Sequence, residues 1–81
     1  MEVSYSISGG DFSHAGAVSS EVKKLLRKLN VPVSVMKRAV IAVYESEVNI
    51  VAHAYEGLIN VNIDKEQVQV FVKDKGPGIA D

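Results

Sequence analysis

"SVMKRAVIAVYESEVNIVAHAYEGLINVNI", Ser34 to Ile63, changes its hydrophobic period partway along, and that change decides the fold. Up to about Tyr55, residues placed at 100° intervals put Met36, Ala39, Val40, Val43, Ile50, Val51 and Ala54 in one broad apolar sector. Beyond Gly57 the period falls to two, with Ile59, Val61 and Ile63 alternating against Asn60 and Asn62. A long helix therefore runs from a Ser34 N-cap to about Tyr55, is stopped by Gly57, and is followed by a half-buried strand over Leu58 to Ile63.

Working outward, Asp64-Lys65-Glu66 reads as a hairpin turn, and Gln67 to Lys73 alternates again through Val68, Val70 and Val72. Toward the N-terminus, Val18, Val22, Leu25, Leu26 and Leu29 fall at helical spacing from about Ser13, opposite Lys23, Lys24, Arg27 and Lys28. The basic last turn suits the helix dipole, Asn30 can take the left-handed stop, and Pro32 prevents continuation. Before it, Val3, Tyr5 and Ile7 alternate with Ser4, Ser6 and Ser8, and Gly9-Gly10 ends that strand. The order strand, helix, helix, strand, strand gives an α+β fold: a two-layer sandwich with two helices on one face of a mostly antiparallel sheet.

The composition narrows the class. The chain has 81 residues, 47% apolar and 23% charged, which is one globular domain rather than a disordered or fibrous segment. Nine basic against ten acidic residues leave a net charge of -1, with no electrostatic footprint for nucleic acid or an anionic membrane. Cysteine is absent, no apolar run approaches the roughly 18 residues that span a bilayer, and the N-terminus lacks a basic-then-apolar leader. The chain reads as cytoplasmic.

Two features could carry chemistry. Glu45, Asn49 and His53 lie four apart on the long helix, stacked on one polar line. Such a line is either a solvated helix face or a pair of oxygen donors over one site, of the kind Mg2+ accepts while keeping several waters. The closing "DKGPGIAD", Asp74 to Asp81, is either a turn or a place where the backbone passes close to a flat ring, with the Asp74 carboxylate available to an exocyclic amine. Glu47 falls toward the apolar sector; a boundary position, a snorkelling side chain and a partner contact are all open for it.

"YESEVNIVAHAY" (Tyr44 to Tyr55) followed by "DKGPGIAD" resembles the N-box and first glycine box of the GHKL ATPases, the Bergerat fold of gyrase-type topoisomerases, the ninety-kilodalton heat-shock chaperone and histidine kinases. The E-x-x-x-N spacing falls on Glu45 and Asn49, and D-x-G-x-G on Asp74, Gly76 and Gly78. The short first strand and the "HAY" ending at His53 to Tyr55 look most like the anti-sigma-factor serine/threonine kinases. That resemblance implies ATP and Mg2+ as cofactors, Glu45 as general base, Asn49 as the Mg2+ ligand, Asp74 as the adenine-recognising residue, Gly76 and Gly78 shaping the base pocket, and Ile79 as its apolar wall. It implies a protein partner, a sigma factor or an anti-anti-sigma-like regulator. A non-catalytic interaction module of the same fold and the ATPase part of a histidine kinase are the alternatives. The family pattern continues with a lid and a second glycine box that do not follow here, so residues 1–81 are expected to be an N-terminal portion of such a domain, to bind ATP weakly or not at all, and to self-associate or be marginally stable.

Overall fold

The computed structural model describes residues 1–64 and 66–75. It contains β1 (Glu2–Ser8), a 3-10 turn (Phe12–His14), α1 (Ala17–Lys28), α2 (Val33–His53), β2 (Glu56–Ile63) and β3 (Val68–Lys75). The strands form one sheet in the order β1-β2-β3, both pairings antiparallel, so the expected α+β sandwich is the fold observed.

Strand alternation turns Ile7 of β1 and Ile59, Val61 and Ile63 of β2 toward the helices, where they are buried. Met36, Ala39, Val43, Ile50 and Val51 of α2 close over them, and Val22 and Leu26 of α1 complete the core. α2 lies across all three strands, whereas α1 packs mainly against α2. The opposite sheet face is mostly polar: Ser4, Ser6 and Ser8 on β1, Asn60 and Asn62 on β2, and Gln69 and Lys73 on β3. A hydrogen bond of 2.8 Å from Asn60 Nδ2 to Ser4 Oγ ties two of these strands together there.

α1 stops as its sequence requires. Asn30 has φ 58°, its N–H donates to Arg27 C=O at 3.2 Å, and the next N–H, of Val31, reaches back to Leu26 C=O at 3.1 Å. This pair of bonds is a Schellman stop and satisfies carbonyls that the helix end leaves free.

Several boundaries differ from the sequence expectation. α1 begins at Ala17 rather than near Ser13, because Gly16 takes φ 98° and separates it from the Phe12–His14 turn. α2 begins at Val33 behind Pro32 rather than behind a Ser34 cap, and ends at His53. β2 and β3 are each longer, since Glu56 and Gly57 pair with Lys75 and Asp74; Asp74 is thus inside the ladder instead of just past it.

Candidate functional site

α2 carries the polar line. Glu45 and Asn49 are one helical turn apart and both exposed, and among the described residues neither side chain has a hydrogen-bond or ion-pair partner. His53, the last residue of the helix, is exposed as well. Ser46, between them, turns back on its own helix and donates to Ala42 C=O at 2.8 Å.

Asp74 reaches the same end of the molecule from the sheet. It is half-buried and shares the helix-facing side of β3 with Val68, Val70 and Val72, directly across from Gly57. Gly57 in turn lies beneath Ile50, the residue after Asn49: a methyl group added to Gly57 would meet Ile50 Cδ1 at 2.5 Å. The absence of a side chain at Gly57 lets α2 approach β2 at the level of Asp74. Val72, one pair further along, is 42% exposed although it faces the helix layer, so the helices leave this part of β3 uncovered.

Two cavities border this region. A groove of about 480 Å³ runs between the first half of α2 and the start of β3, lined by Val35, Arg38, Ala39, Ala42, Val68 and Val70. Arg38 precedes Glu45 by two turns on the same line. A second cavity, about 510 Å³, includes Gly57 and Asp74, but Ser6, Leu58 and Lys73 place most of it on the outer sheet face, away from Asn49. Gly76, Gly78 and Ile79 lie outside the described residues.

Glu47 is the residue whose position the sequence left open. It is 1% exposed and belongs to the helix pair: Val18 N–H donates to Oε2 at 3.0 Å and Ser19 N–H to Oε1 at 3.2 Å. These are N–H groups of the first turn of α1, which have no partner within their own helix, and the negative carboxylate meets the positive end of the α1 dipole. Because Gly16 offers no side-chain cap, Glu47 supplies one from α2. Its separation of 28 and 29 residues from those donors is why no local motif announces it.

Other charged groups are local. Hydrogen bonds from His14 and Ser13 hold the Asp11 carboxyl below the usual aspartate range, with His14 Nδ1 and Ser13 Oγ at 2.9 and 3.0 Å from Oδ1. Burial raises the Tyr5 phenol, and the nearby Glu21 charge adds to the effect.

The Asn49 side-chain oxygen is of the donor type that Mg2+ accepts, and the Glu45 carboxylate one turn away would be free to act as a base. Among the described residues no group of three His, Cys, Asp or Glu side chains is placed to hold a metal ion. Residues 10–81 match the family described as the histidine kinase-like ATPase domain, and the chain belongs to that family. It is an ATP-binding, kinase-like ATPase domain. No curated protein and no solved structure matches the chain. Among the described residues no helix is long and apolar enough to cross a membrane.

Proposed function

We propose that this chain is the ATP-binding part of an anti-sigma-factor-type serine/threonine kinase, which transfers the γ-phosphoryl group of ATP to a hydroxyl of a regulatory protein. The observation that carries the reading is the pairing of exposed Glu45 and Asn49 on one face of α2 with Asp74 on the helix-facing side of β3, at the level where Gly57 and Ile50 bring helix and sheet together. Asp74 accepts a hydrogen bond from the adenine amino group. Asn49 would hold Mg2+, which would supply positive charge against the phosphate oxygens. Glu45, one turn earlier on α2, takes the proton of the acceptor hydroxyl as its oxygen attacks the γ-phosphorus and ADP leaves. Gly76, Gly78 and Ile79 form the rest of the base pocket in this reading. The partner is a sigma factor or a regulator that competes with one.

An NMR titration with Mg-ATP tests the binding half. Amide signals of Asn49, Gly57 and Asp74 shift in the wild type and fail to shift in Asp74→Asn; unmoved signals at saturating nucleotide would sink the assignment. For the chemical half, Glu45→Gln keeps the nucleotide-induced shifts but lowers transfer from ATP to a protein hydroxyl by about 10²- to 10⁴-fold. Transfer at the wild-type rate in that variant would remove Glu45 as the base.

A further inference from the structure

The sheet face turned away from the helices has no part in the ATPase reading. Across its middle, the strand registers set two rows side by side: Ser4, Asn60 and Phe71 in one, Ser6, Leu58 and Lys73 in the next. A solvated face of an antiparallel sheet is polar at every outward position. Leu58 and Phe71 break that pattern, and they are 40% and 55% exposed. Leu58 lies opposite Lys73 and Phe71 opposite Asn60, so the two apolar residues are diagonal neighbours on the β2–β3 ladder, about 7 to 8 Å apart. They make one apolar patch. From Leu58 a concavity of about 510 Å³ extends across all three strands toward Ser8 and Lys75.

Charge on this face is paired except at one point. Lys75 Nζ lies 3.7 Å from Glu56 Oε2, whereas Lys73, in the row of Leu58, has no carboxylate partner among the described residues. Glu2, the other outward acid of β1 and β2, is two rows away.

We propose that this face is a docking surface for an amphipathic helix of a partner protein, carrying two large apolar residues one turn apart and an acidic residue beside them. Three strands at ordinary spacing are about 9.6 Å across, which one helix covers, as α2 does on the inner face. Residues i and i+4 of a helix are about 6 Å apart along its axis, close enough to the Leu58–Phe71 diagonal for both to be covered. The acidic residue of the partner meets Lys73. Glu2 and Glu56 balance Lys73 and Lys75, so the face as a whole exerts no pull on a polyanion such as nucleic acid or a lipid surface. A second copy of the chain brings no free acid to Lys73 from this end of the face, since its Glu56 is held by Lys75.

The test is an NMR titration of the full chain with a synthetic helical peptide that has leucine at each turn of one face and glutamate flanking it. Amide signals of Leu58, Asn60, Phe71 and Lys73 shift, and those of Lys23 and Arg27 on the basic side of α1 do not. Phe71→Ser, at an outward position, weakens peptide binding about tenfold. Lys73→Glu weakens the glutamate peptide and strengthens an analogue with lysine in place of each glutamate, a reversal that a folding defect cannot produce. Shifts confined to α1, no shifts at a large excess of peptide, or an unchanged charge preference in Lys73→Glu overturn the proposal. So do outer-face signals that move when the chain alone is diluted, which would assign the face to a second copy. None of these readouts involves nucleotide, so they stand or fall independently of the ATPase reading.

Discussion

Glu47 and Glu45 sit two positions apart on α2 and have opposite fates. One is buried against the start of α1; the other faces open solvent beside Asn49. Helical spacing already put Glu45 on the polar line with Asn49, so the candidate base was legible in the sequence. The function of Glu47 was not, since a carboxylate in an apolar sector acquires a structural purpose only from donors brought by tertiary packing. Glu47→Ala should leave the Val18 and Ser19 N–H groups buried without an acceptor, at a cost of about 2 to 4 kcal/mol by urea unfolding, whereas Glu47→Gln, which keeps one acceptor oxygen, should cost about 1 kcal/mol. Equal stability of Glu47→Ala and wild type would show that the cap contributes nothing.

At the level of elements, the long helix and all three strands were readable because their periods extend over enough residues to be unmistakable. The start of α1 was not. Ser13 and His14 belong to a turn held by Asp11, and the break at Gly16 rests on a single backbone angle rather than on a pattern. The extra residues of β2 and β3 likewise come from pairing, not from alternation: Glu56 with Lys75 and Gly57 with Asp74. The contact of α2 with β2 at Gly57 can be tested directly. Gly57→Ala should destabilise by about 1 to 3 kcal/mol because the new methyl group meets Ile50, and adding Ile50→Val should recover part of that loss. Strictly additive effects in the double mutant would mean that the two residues do not compete for the same space.

For the molecule as a whole, a single core of this size supports about 3 to 5 kcal/mol of net stability, so the Glu47 cap and the Gly57 contact are each a large share of it. One core shared by both layers should unfold in one step, giving coincident transitions by circular dichroism and by tyrosine fluorescence.

The bond between Glu47 and α1 also sets the angular phase of α2. A carboxylate about 6 Å from a helix axis travels about 2 Å when the helix rolls by 20°, enough to break both bonds to Val18 and Ser19. Rolling α2 would swing Glu45 and Asn49 by the same angle, so the helix cannot turn its candidate chemistry toward or away from β3 without first releasing α1. The two residues that face the open flank are held on azimuth by a third that faces the other way, and any change in where they point must be accompanied by movement of the first helix.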